Sequence, residues 1–169
     1  MKTILIMRHA KSSWDDPNLN DHDRPLNKRG KRDATRMGSL LRAESLIPDL
    51  VLCSTALRAL RTAELVLQSS GYDGEIRLRR DLYEAEAETC LSVVKQLSDD
   101  FGRVLLIGHN PCLEHLLGLL CDVWERMPTA GLAVVTLPVE NWKELKAEPQ
   151  GALLRLWRPK DVRDEEQAG

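Results

Sequence analysis

The chain has 169 residues, long enough for one domain whose apolar core needs neither metal nor disulfide to hold it. Its 24 basic and 26 acidic side chains leave a net charge of −2, so no overall field favours nucleic acid or an anionic membrane, and any anion site must be built locally. The four cysteines, Cys53, Cys90, Cys112 and Cys121, form no Cys-x-x-Cys pair and have the scatter of reduced thiols in a cytoplasmic protein.

Short apolar runs alternate with longer amphipathic segments, the pattern of strands joined through crossover helices into a mostly parallel sheet. The first run predicts a buried strand over 3–8. At about five residues it is too short for a signal-peptide core of roughly 7–15 or a membrane span of ~20. Residues 11–27, rich in Asp, Asn and Pro, carry neither period and predict a long loop, which in a compact domain points to function. There follow a helix over 28–45, a strand over 49–53, a helix over 55–69, a strand over 75–79 and a helix over 87–99. A strand over 103–108, a helix over 111–123, and strands over 131–137 and 152–157 complete the pattern. The expectation is an α/β fold, a three-layer sandwich around a six-stranded sheet, with a single domain over 1–160 and a charged, frayed tail over 161–169.

Chemistry gathers at the strand ends. The first strand stops at Arg8-His9-Ala10, which alone is compatible with an ion pair and a satisfied histidine. The second passes through Ser54-Thr55, either of which suits a helix N-cap, and places Arg58 in the first helical turn. A cation is disfavoured there by the helix dipole unless an anion compensates, and phosphate suits both the guanidinium fork and the helix start. Arg61 reads as a solvated arginine. The fourth strand ends in Gly108-His109-Asn110-Pro111, with Asn110 fitting the N-cap and Pro111 the first helical position. In a parallel sheet Arg8, His9, Arg58 and His109 share the carboxyl edge, where open α/β sheets bind ligands. A neutral imidazole there is a competent nucleophile, and two arginines with a second histidine neutralise a transferring phosphoryl group without a metal.

Arg8-His9-Ala10, Ser54-x-x-x-Arg58-Ala59-x-x-Thr62-Ala63 and Gly108-His109-Asn110 together resemble the histidine phosphatase (phosphoglycerate mutase-like) superfamily, in its small SixA-type phosphohistidine phosphatase branch. Asp23-Arg24-Pro25-Leu26-x-x-x-Gly30 and Leu82-Tyr83-Glu84-Ala85 extend the likeness to residues 3–120. The resemblance implies that His9 accepts the phosphoryl group, that Arg8, Arg58 and His109 complete the phosphate pocket, and that His109 donates a proton or hydrogen bond. Ala10 stands where most of the superfamily has Gly, and Asp15 where the mutases have a phosphate-binding Asn, a role a carboxylate does not inherit. Only about fifty residues separate Arg58 from His109, too few for a large lid. Glu84 is the proton donor by position, with a carboxylate at a helix start as the plain alternative.

The resemblance implies a phosphatase without cofactor, working through a phosphohistidine intermediate on a phosphorylated protein, with protein phosphohistidine favoured. The alternatives are a small phosphate ester as substrate, or a phosphate-binding module without turnover. A cytoplasmic monomer with no nucleic-acid or membrane partner is expected. His22 reads as a loop residue near the site mouth and His115 as a helix-face residue, and Cys112 with His115 lacks the further ligands of a metal site.

Overall fold

The computed structural model describes residues 1–162. Its six strands are β1 (Lys2–Arg8), β2 (Leu50–Ser54), β3 (Ile76–Arg79), β4 (Arg103–Gly108), β5 (Leu132–Leu137) and β6 (Ala152–Trp157). Its α-helices are α1 (Lys28–Ala43), α2 (Leu57–Ser70), α3 (Ala87–Lys95) and α4 (Cys112–Cys121). The sheet order is β3-β2-β4-β1-β5-β6; β1 to β4 run parallel, whereas β5 pairs antiparallel with both β1 and β6.

Alternation along the central strands decides the layers. Ile4, Ile6, Leu50, Leu52, Val104 and Leu106 face α3 and α4, while Leu5, Met7, Val51, Cys53, Leu105 and Ile107 face α1 and α2. Because both faces are covered, these strands are apolar at nearly every position, as buried parallel strands are. The result is the α/β/α sandwich with a six-stranded, mostly parallel sheet that the sequence pattern predicts.

Several element ends differ from expectation for local reasons. α3 stops at Lys95 rather than 99 as its end tightens, Gln96 N–H and Leu97 N–H donating to the Val93 and Val94 carbonyls three residues back. Ala56, not Ser54 or Thr55, is the N-cap of α2; the Ser54 hydroxyl accepts from Ala56 N–H and so turns the chain one step ahead of the helix. Pro111, not Asn110, caps α4, since the Asn110 amide is engaged by Glu114 Oε1 and the Met127 carbonyl. Of the expected tail, Asp161 closes a short 3-10 turn and Val162 packs half-buried against the α1–α2 core; 163–169 lie outside the described residues.

Segment 11–27 is a loop held at three points. Ser12 bridges Leu26, Asn20 caps the turn Asp21–Asp23, and Asn27 caps α1 by accepting from Gly30 N–H at 2.8 Å. A Cβ on Gly30 would collide with the Lys11 carbonyl, so glycine is what lets the loop pass against the first turn of α1. Among the described residues no helix is long and apolar enough to cross a membrane.

Candidate active site

Strand register brings the two histidines together. Arg8 of β1 lies opposite Gly108 of β4, so the next residues, His9 and His109, leave the sheet side by side with ring centroids 5.1 Å apart. β2 ends at Ser54 on the other flank of β4, and α2 begins three residues on, which sets Arg58 over the same edge. Arg8, His9, Arg58 and His109 all line one cavity of about 510 Å³.

Two hydrogen bonds organise the imidazoles. His9 Nδ1 lies 2.7 Å from the Ala10 carbonyl, an acceptor only, so Nδ1 carries the proton and Nε2 carries the lone pair. His109 Nε2 lies 2.8 Å from the hydroxyl of fully buried Ser54. When that hydroxyl donates, the other His109 nitrogen bears the N–H. Burial, reinforced by His109, Arg58 and Arg8, lowers His9 to about 3. Burial and then Arg58 lower His109 to about 4, with Asp21 pulling the other way. Both rings are therefore neutral near pH 7, one offering a lone pair.

Thr62 ties the walls together. Its hydroxyl accepts from Ala10 N–H at 2.9 Å and donates to the Arg58 carbonyl at 2.7 Å. Arg8 donates from Nη1 to the Met127 carbonyl at 3.2 Å, while its buried Nε has no partner among the described residues. A buried N–H of this kind is costly unless something accepts from it.

The 11–27 loop enters the site through Asp21 and Arg24. Asp21 accepts from Arg58 Nη2 at 2.9 Å, from the Tyr83 hydroxyl at 2.6 Å and from Arg24 Nη1 at 3.1 Å. Tyr83, with Arg58 and Arg24 alongside, holds the Asp21 carboxyl down at about 2. Arg24, buried, also donates to Ser12 Oγ and the Ser13 carbonyl, and Trp14 lies over its guanidinium. Tyr83 packs edge-on against both His22 and His109. Asp21, Tyr83, Arg24 and Ser54 are site residues that sequence reasoning did not single out. The Asp-rich run and the Leu82-Tyr83-Glu84 match held the only signal for the first two.

Asp15 is exposed and outside the cavity lining. Glu84 lines the cavity at its exposed rim with a left-handed backbone, φ 55°; α3 starts only at Ala87, so Glu84 is not a helix-start carboxylate. His22 sits in the Asp21–Asp23 turn with Nε2 2.9 Å from Thr55 Oγ1, and exposed His115 reaches the rim from α4. Arg61 pairs with Glu64 at the surface. Cys112, which lines the cavity, lies with its sulfur 2.9 Å from that of buried Cys90, and among the described residues no group of His, Cys, Asp and Glu is arranged to hold a metal ion.

The model of the histidine phosphatase superfamily (branch 1) matches residues 4–102. The chain belongs to the histidine phosphatase superfamily. The matched span ends before His109, whose place in this histidine phosphatase rests on the β1–β4 register. An uncharacterized protein of Mycobacterium tuberculosis is 35% identical over 151 residues, covering 83% of this chain and 92% of its own. Two solved structures are each 28% identical over 94% of this chain: proteins assigned as phosphohistidine phosphatase SixA from Agrobacterium tumefaciens and from Nakamurella multipartitia. They superpose with TM-scores of 0.81 and 0.82 and are covered over 98% and 96% of their lengths. Family and neighbours support a phosphatase acting on phosphorylated substrates.

Proposed function

We propose that the protein is a metal-independent phosphohistidine phosphatase in which His9 carries the phosphoryl group between substrate and water. The observation that carries this reading is the His9 Nδ1 bond to the Ala10 carbonyl, which leaves Nε2 unprotonated and facing a pocket walled by Arg8, Arg58 and His109. Nε2 attacks phosphorus, a P–Nε2 bond forms, and the bond from phosphorus to the leaving atom breaks. Arg8 and Arg58 neutralise the equatorial oxygens, and His109 donates a hydrogen bond to one of them. Asp21 occupies the Arg58 guanidinium and yields it as phosphate enters. Glu84, at the rim, supplies the proton that the leaving group takes. Water then attacks the phosphohistidine, releasing inorganic phosphate and restoring neutral His9.

A protein side chain is favoured as the phosphate carrier because the rim is open. Trp14, Glu84 and His115 at its edge are exposed, and between Arg58 and His109 the connections joining α2, β3, α3 and β4 span only 71–75, 80–86 and 96–102, too short for a large covering segment. The names of the two SixA-type neighbours favour the same substrate. Cytoplasmic action as a monomer belongs to this reading.

Quenching turnover of a radiolabelled phosphohistidine protein in alkali tests it. Acid-labile, alkali-stable label is expected on the wild-type chain and none on His9→Ala; turnover that survives in His9→Ala would exclude a phosphoryl-His9 route. Comparison with small phosphate esters ranks the substrate classes.

A further inference from the structure

A second cavity, of about 570 Å³, shares Arg8 and Thr129 with the first and is the size of a small-ligand site. Six more cations line it: Arg29, Arg32 and Arg36 from α1, Arg126 ahead of β5, and Arg158 and Lys160 after β6. Among the described residues only two carboxylates line the cavity with them, Asp33 and Glu114, and both are engaged. Asp33, its side chain 3% exposed, lies beneath the three α1 arginines at 3.5 to 4.0 Å. Glu114 Oε1 accepts from Asn110 Nδ2 at 2.9 Å and from Met127 N–H at 3.0 Å. Arg126, Arg158 and Lys160 have no ion-pair partner among the described residues. In a chain whose net charge is −2, this gathering of cations on one cavity is a local feature and not the average surface. Like charges brought this close destabilise one another unless an anion joins them.

We propose that this cavity is a docking site for an acidic segment of the phosphoprotein substrate, carboxylate-rich and distinct from the phosphorylated residue itself. Arg8 and Thr129 form the common wall, so a chain whose phosphate meets His9 can continue past them and lay neighbouring carboxylates against Arg126 and Arg158. The site then supplies affinity and selection that the phosphate pocket, which sees only one group, does not. The kinetic part of this inference rests on the phosphatase reading; the binding part does not.

The test uses the full-length protein and a fluorescent, unphosphorylated peptide of alternating Glu and Ser, with a Gln-for-Glu peptide as control. The Glu peptide is expected to bind, to weaken steeply with salt, and to lose about tenfold in affinity in the Arg126→Glu, Arg158→Glu double variant. In turnover, the double variant is expected to raise KM about tenfold for a phosphohistidine peptide flanked by Glu, with kcat and the hydrolysis of phosphoramidate unchanged. Retained phosphoramidate hydrolysis also reports that the variant is folded. If wild type turns over nothing while peptide binding still answers to Arg126 and Arg158, the phosphatase reading fails and the docking site stands. Equal binding of Glu and Gln peptides overturns the proposal, as does indifference to the double variant. So does binding gained only when Asp164, Glu165 and Glu166 are neutralised to amides, which would give the cavity to this chain's own acidic end.

Discussion

Asp21 Oδ2 and Arg58 Nη2 lie 2.9 Å apart inside the cavity that holds both histidines, so a carboxylate already sits on the guanidinium that would meet phosphate. Entry of an anion therefore requires an exchange of partners. Asp21→Asn is expected to tighten inhibition by inorganic phosphate about fivefold, the scale of one partly exposed ion pair at ~1 kcal/mol. Phosphate inhibition constants for the two proteins check this, and an unchanged or weaker constant would mean that Asp21 does not compete for Arg58.

The imidazoles should titrate far below a free histidine. Proton NMR is expected to place His9 near pH 3 and His109 near pH 4, against an ordinary value near 6.5. Both folded values are depressed, so the unfolded chain binds more protons between those values and pH 6.5, and stability rises with pH through that window. The contribution is complete above about pH 6.5 and is lost as pH falls towards 4 and then 3. Asp21 extends the loss downward, from its ordinary 3.8 towards about 2. Urea midpoints at pH 7, 5 and 4 should fall in that order; a flat series contradicts the assignment.

Ser54 is a positioning residue for His109. Ser54→Ala removes the 2.8 Å bond to His109 Nε2 and is expected to lower kcat about tenfold, the worth of one buried hydrogen bond, while phosphate inhibition stays the same. The distinguishing signal is the 15N spectrum of His109, which should pass from one tautomer to a mixture. A purely structural loss would leave the tautomer signal alone.

Glu84 is tested through the leaving group. An alkoxide needs a proton more than an imidazole does, so Glu84→Gln should slow an alkyl phosphate by about a hundredfold and a phosphohistidine peptide by less than about threefold. Equal slowing of both substrates would remove Glu84 from the acid role.

Gly30→Ala forces a Cβ onto the Lys11 carbonyl and is expected to destabilise the protein by about 1–3 kcal/mol, in the range of an overpacked site. Thermal unfolding measures it directly. Because Lys11 precedes Ser12 in the cavity wall, a loss of activity at temperatures below unfolding should accompany it.

Arg8, His9, Arg58 and His109 were readable because each stands at or just past a strand end or in the following helical turn, positions that apolar periodicity marks directly. The parallel core followed from strands that are apolar on both faces. The reversal of β5 did not: no crossover helix separates it from β6, yet direction is set by pairing with β1, which periodicity does not encode. The site roles of Asp21, Arg24 and Tyr83 were not legible for another reason, although Arg24 and Tyr83 stand in matched segments. These residues lie in segments without a period and meet only through tertiary closure, Tyr83 reaching across 62 positions of sequence to Asp21. The N-caps of α2 and α4 were misplaced because Ser54 and Asn110 have the side chains of caps but use them elsewhere, Ser54 on His109 and Asn110 on Glu114 and Met127.

The Thr62 hydroxyl spans the distance between two stretches of main chain, that of Ala10 next to His9 and that of Arg58. Side-chain motion at either end leaves this brace untouched, since it grips backbone on both sides. The Thr62 hydroxyl thus fastens the turn that carries His9 to the first turn of α2, which carries Arg58. The separation of the His9 turn from the Arg58 turn is therefore held by main chain rather than by side-chain rotamers.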